Sequence, residues 1–114
     1  MSAADVVHII TEPTRYKILQ LLYKHTYCVK ALSKKLDISE SAVSQHMNIL
    51  KKYHVVVGKK IGYQTHYQVN KELLTGAAEE LKAQLEAYNV SVASDDCSCE
   101  FISECIKRAK ARRE

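Results

Sequence analysis

Residues 39–50 read Ser39-Glu40-Ser41-Ala42-Val43-Ser44-Gln45-His46-Met47-Asn48-Ile49-Leu50, and this stretch decides the fold. Val43, Met47 and Leu50 fall at i, i+4 and i+7, so they share one face of a helix. Ser39 offers the side-chain oxygen that an N-cap needs. Turning the apolar face inward leaves Ser41, Ser44, Gln45 and Asn48 on or near the outer face. Gln pairs bidentately with adenine, and a Ser hydroxyl bonds either a base edge or a phosphate. The outer face therefore suits duplex DNA.

Upstream, Asp37-Ile38-Ser39 joins this helix to a shorter one marked by Val29, Leu32 and Leu36. Glu12-Pro13-Thr14 opens an earlier helix, since Pro is tolerated in a first turn, and Ile18, Leu19, Leu21 and Leu22 form its buried stripe. A first short helix over residues 3–10 carries Val6, Val7, Ile9 and Ile10. Downstream, the period changes to two. Val55, Val57 and Lys59 are expected on one face of a strand, with Tyr63, Thr65, Tyr67 and Val69 on a second and Gly62 at the turn. Tyr63 and Tyr67 are expected to pack on the sheet. Residues 71–90 return to helix, and Leu74, Ala77, Leu81, Leu85 and Tyr88 form a seam suited to a partner helix. A homodimer through residues 71–90 is the expectation. Residues 90–96 read as a linker, and a last helix from about Cys99 carries Phe101, Ile102, Cys105, Ile106 and Ala109.

The expected fold is mainly α with a small β-hairpin, a winged helix-turn-helix with additional N- and C-terminal helices. Residues 1–90 form the DNA-binding and dimerisation domain, and 91–114 a cysteine-containing linker and C-terminal helix. Over 114 residues, 46% hydrophobic and 26% charged content argues against disorder, and no run approaches a membrane span. No charged n-region precedes an apolar stretch, so the protein is expected to be cytoplasmic, with its thiols reduced. The net charge of +4 is unevenly spread: residues 1–70 hold ten Lys and Arg against four acids. A basic first part is the footprint of a nucleic-acid binder. Lys59 and Lys60, beside the turn, are placed for the phosphate backbone, whereas Lys51 and Lys52 suit the negative end of their own helix. No phosphate loop, His-x-x-x-His pair or nucleophile elbow is present, so an enzyme is not expected.

Three stretches carry a family resemblance. Glu12-Pro13-Thr14-Arg15-Tyr16-Lys17-Ile18-Leu19-Gln20-Leu21-Leu22 resembles the Asp-Pro-Thr-Arg-x-x-Ile-Leu-x-x-Leu opening of the arsenical-resistance repressor (ArsR/SmtB) family. Residues 39–50 are similar to that family's Ser-x-Ser-x-Val-Ser-x-His-Leu-x-x-Leu recognition helix, and Gly62 to Asn70 to its second wing strand. The resemblance spans about residues 4–90. It implies a homodimeric repressor of transcription that leaves a double-stranded DNA operator when an effector binds. It also implies that Ser41, Ser44, Gln45 and His46 lie against DNA. His46, adjacent to Met47, equally suits a buried histidine that holds the helix-turn-helix together.

The effector site of such sensors varies. One known site uses His, Asp and Glu on the long dimer helix, yet residues 71–90 contain no His, Asp or Cys. Another uses a Cys-Val-Cys-Asp-Leu run, where this chain has Cys28-Val29-Lys30-Ala31-Leu32. Cys28 then reads as a small buried hydrophobe or a minor ligand. The remaining thiols, Cys97, Cys99 and Cys105, are spaced Cys-x-Cys-x5-Cys and resemble the C-terminal cysteine triad of some arsenite sensors. Three soft thiolates suit As(III) or Sb(III), and a fourth ligand would shift the site toward Zn(II), Cd(II) or an iron–sulfur cluster. The expected function is a repressor released by a thiophilic metal or metalloid, with no cofactor required for DNA binding. A thiol redox switch, a purely structural role for the cysteines, and a winged-helix protein-interaction module remain as alternatives.

Overall fold

The computed structural model describes residues 1–89 and 99–104. Cys97 and Cys105, the expected linker over 90–96 and most of the expected last helix lie outside the described residues. Seven elements follow in order: α1 (Ala3–Ile10), α2 (Pro13–Leu22), α3 (Val29–Leu36), α4 (Glu40–Lys52), β1 (Val56–Ile61), β2 (Gln64–Val69) and α5 (Lys71–Glu86). This is a winged helix-turn-helix, mostly helical with one antiparallel hairpin.

Local chemistry sets the helix ends. Ser2 and Asp5 cap α1 reciprocally, and Glu12 caps α2 by accepting the Arg15 amide, with Pro13 in the first turn. Helix α3 stops at Asp37, which adopts left-handed backbone geometry (φ 55°, ψ 47°), and Ser39 then caps α4. The turn between α3 and α4 is closed by the Ser33 hydroxyl, which donates to the Ile38 carbonyl. The apolar stripes of α2, α3 and α4 meet in one place. Ile18 and Leu19 from α2, Leu32 from α3, and Val43, Met47 and Leu50 from α4 are fully buried together with Val55 and Val56. Burying such side chains stabilises by about 1.5–3 kcal/mol each, so α4 is fixed to the body by its inner face.

The strand reading needs one correction. Val55 and Val57 do not share a face: Val55 and Val56 are both buried, whereas Val57 is 50% exposed. His54 has left-handed backbone geometry (φ 62°) and turns the chain after α4. The strand's alternation therefore begins at Val56, which pairs with Val69. Gly62 (φ 64°) is the first of two loop residues, as a type II′ turn requires. Gly58 lies opposite Tyr67, and a Cβ there would stand 2.8 Å from Thr65 Cγ2. The absent side chain makes room for the Tyr67 ring, which is buried. Tyr63 behaves differently from its expected packing role: it occupies the turn and is 100% exposed. At the other end of the ribbon, the Tyr67 amide donates to the Tyr27 carbonyl at 3.0 Å, an isolated bridge to the segment before α3.

Helix α5 is shorter than the 71–90 expected. It ends at Glu86, and Tyr88 lies beyond it. Leu74 is half-buried and Ala77 buried, with α5 packed on α1, whereas Leu81 and Leu85 are 48% and 66% exposed. Residues 102–104 are helical, as expected for the start of a last helix.

Candidate nucleic-acid interface

Helix α4 presents its polar residues as the sequence requires. At roughly 100° per residue, Ser41, Gln45 and Asn48 project opposite the Val43/Met47/Leu50 stripe. All three are exposed, and Ser44, on one flank, is half-buried. Four polar side chains thus stand on a helix whose other side is welded into the core. Gln45 and Asn48 can read base edges; the two serines can bond bases or phosphates.

His46 lies on the opposite flank from Ser44 and is half-buried. Its Nδ1 stands 3.4 Å from Arg15 Nη1 and 3.6 Å from Glu12 Oε2, so it faces the start of α2. Arg15 in turn donates from Nε to the Ile9 carbonyl at 2.6 Å, and its backbone amide donates to Glu12 Oε2 at 2.8 Å. Burial pushes the Glu12 carboxyl up, but hydrogen bonds from the Arg15 and Thr14 amides, with the Arg15 guanidinium beside it, outweigh it, so the group sits below its ordinary range. Sequence reasoning did not find this cluster. Arg15 and His46 lie 31 residues apart in the chain, and no spacing within one helix links them.

The wing carries the two lysines. Lys59 pairs across the ribbon with His66, and Lys60 with Thr65. Adjacent strand residues point to opposite faces, so Lys60 lies on the Tyr67 face and Lys59 on the other. Both are exposed. Lys51 Nζ lies 5.7 Å from the Tyr67 ring centroid, and Lys52 Nζ lies 5.7 Å from that of Tyr53. Each of these two lysines thus has an aromatic face to cover as well as a helix terminus to neutralise.

Two of the thiols, Cys28 and Cys99, are among the described residues. Cys28 is the N-cap of α3, half-buried, and makes no side-chain capping bond. Cys99 is exposed, and its sulfur accepts the Phe101 amide at 3.3 Å. Among the described residues no group of three or more His, Cys, Asp and Glu side chains is placed to hold a metal ion, and no helix is long and apolar enough to cross a membrane.

Residues 12–56, from the Glu12 cap to the first wing strand, match the bacterial regulatory protein, arsR family. The chain is 33% identical over 70 residues to the transcriptional repressor SdpR of Bacillus subtilis, covering 61% of this chain and 78% of that protein. It is 27% identical over 96 residues to the arsenical resistance operon repressor of Staphylococcus xylosus, covering 84% and 86% of the two chains. Among solved structures, an ArsR-like transcriptional regulator from Rhodococcus sp. RHA1 superposes with a TM-score of 0.65 at 25% identity, over 74% of this chain and 82% of that one. These relatives are regulators of transcription, not enzymes. With its helix-turn-helix, lysine-bearing wing and matched relatives in agreement, the chain belongs to the arsR family as a transcriptional repressor with a winged helix-turn-helix DNA-binding fold.

Proposed function

We propose that this repressor binds its operator as a homodimer, reads bases with α4, and is released by a thiophilic metal or metalloid. The observation that carries the DNA reading is the exposed polar face of α4, held rigidly from behind by Val43, Met47 and Leu50. Ser41, Ser44 and Gln45 contact DNA in this reading, and Lys59 and Lys60 contact phosphates on either side of the wing. His46 takes the second of its two expected roles, holding the helix-turn-helix together from the α2 side. Leu81 and Leu85, exposed on α5, supply the apolar surface for a second copy. Two-fold symmetry then sets two recognition helices about one duplex turn apart. A gel shift on genomic fragments tests the DNA reading; specific retardation is expected, and none would refute it.

The effector reading rests on the chemistry of the donor set. Cys97, Cys99 and Cys105 are three soft donors within nine residues of chain. Cys99 is exposed to an incoming ion. These residues would hold As(III), Sb(III) or a similar ion, which would cross-link the C-terminal segment; residues 1–89 would bind DNA without it. The relative from Staphylococcus xylosus is a repressor of an arsenical resistance operon, which supports the same effector class here. Binding requires thiolates, so affinity rises with pH. Cys→Ser substitution at 97, 99 and 105 should abolish release by arsenite, antimonite and cadmium while DNA affinity persists, and Cys28→Ser should respond normally. Release persisting in the triple variant would remove these thiols as the sensor, and release by peroxide alone would favour the redox switch.

A further inference from the structure

The face that α4 shows to solvent depends on how far the helix is rolled about its own axis. Val43, Met47 and Leu50 fix its depth, but apolar contact is non-directional and tolerates small rolls. Directional bonds set the roll. Side-chain tips lie about 5–6 Å from a helix axis, so a roll of about 20° moves them about 2 Å. That exceeds the tolerance of a hydrogen bond to a base edge. Whatever fixes the roll of α4 therefore fixes base selectivity.

Among the described residues, the side-chain hydrogen bonds to the flank of α4 come from one cluster. Arg15 is only 13% exposed and carries donors alone, so His46 Nδ1 is the acceptor in their 3.4 Å pair. The same guanidinium donates to the Ile9 carbonyl in the last turn of α1, a group left without an intrahelical partner at the helix end. Glu12 Oε2 stands 3.9 Å from Arg15 Nη1 and 3.6 Å from His46 Nδ1. One side chain thus touches α1, α2 and α4 at once. Helix α1 is also the element on which α5 packs.

We propose that Arg15 is a positioning residue for base readout, acting through His46 to set the roll of α4 and tying that roll to the end of α1. The inference rests on α4 being the DNA-reading helix. Arg15 itself touches no DNA. In this reading a displacement of α1 would reach α4, and so Gln45, through the side chains of Arg15 and His46.

The test uses the full chain and two duplexes: a site that the wild-type protein enriches from a randomised pool, and an unrelated duplex of equal length. The quantity read is the ratio of the two affinities, beside a thermal melt of each variant. Arg15→Met is expected to lower the ratio about tenfold or more, comparable to losing one good base contact, while affinity for the unrelated duplex holds. His46→Leu should lose a similar factor, and His46→Gln, whose amide oxygen still accepts a hydrogen bond, should recover most of it. Arg15→Met should cost nothing further in the His46→Leu background. A loss that persists undiminished in that background would overturn the proposal, as would an unchanged ratio in folded Arg15→Met. If Arg15→Met does not fold, Arg15→Lys replaces it: a single ammonium cannot span the Ile9 carbonyl and His46 together, so the same non-additive loss is expected, and additivity would sink the idea. A wild-type protein that enriches no site would instead refute the DNA-reading assignment, and this inference with it.

Discussion

Asn70 donates from Nδ2 to the His54 carbonyl at 2.9 Å, which joins the turn after α4 to the residue just before α5. The same side chain accepts the Leu73 amide through Oδ1 at 3.2 Å, and its own amide donates to the Val55 carbonyl at 2.8 Å. The wing thus begins and ends at one polar clasp. Asn70→Ala removes an N-cap and a tertiary bond together and should destabilise the fold by about 1–2 kcal/mol. Asn70→Asp keeps the cap but not the donor, and should lose about half as much in urea unfolding.

Base contacts and phosphate contacts should separate on mutation. Gln45→Ala is expected to cost about 1–3 kcal/mol on the preferred site and to relax base preference at one position. Lys59→Ala and Lys60→Ala should weaken binding to all sequences and reduce the salt slope by about one each. Because the two lysines lie on opposite faces of the ribbon, their effects should add. Affinity measured against salt concentration checks both statements, and an unchanged slope for Lys60→Ala would remove that side chain from the phosphates.

Self-association should depend on the exposed end of α5. Leu81→Glu with Leu85→Glu places charge on an apolar face that the monomer leaves uncovered. Sedimentation should show a dimer for the wild type at micromolar concentration and a monomer for the double variant with helix content retained. A monomeric wild type would leave the seam unexplained.

Acid should loosen the junction of α1, α2 and α4 through Glu12. Its folded-state pKa lies below the ordinary 4.5, so the ionised group stabilises the fold above that value. The contribution is lost as pH falls through the depressed value. Glu12→Gln keeps an oxygen for the cap but cannot titrate. The urea midpoint of Glu12→Gln should therefore fall less steeply than wild type below about pH 4.5, and a parallel fall would place the acid sensitivity elsewhere.

Periodicity made most of the fold legible. Ile18, Leu19 and Leu22, with Val43, Met47 and Leu50, are buried as read, whereas Leu21 of the same expected α2 stripe is half-buried, and Ser39 caps α4. The Val55 to Val57 phase was not legible, because it depends on the left-handed geometry of His54, a residue whose composition gives no such signal. The end of α5 at Glu86 was missed for a related reason: Tyr88 continues the apolar pattern of Leu81 and Leu85 after the backbone has stopped being helical. Within the candidate interface, the exposure of Ser41, Gln45 and Asn48 followed from the same stripe that buries their neighbours. The Arg15–His46 pair did not, since no period links side chains on different helices. The three C-terminal thiols were legible as a donor set, and Cys97 and Cys105 lie outside the described residues.

The bridge between Tyr27 and Tyr67 makes the wing a cantilever. At its base the ribbon is clamped to the segment that leads into α3, with the Tyr67 ring sunk against the core. Toward Gly62 and Tyr63, among the described residues, its hydrogen bonds are those between its own two strands, and a two-stranded hairpin by itself is marginal in water. Stiffness therefore declines along the ribbon. Amide exchange should be slow at Tyr67 and fast at the tip, with Lys59 and Lys60 on the compliant half. A compliant charged tip could follow a phosphate backbone as it bends while α4 stays fixed, so in the proposed mode of binding searching and reading would be mechanically separate.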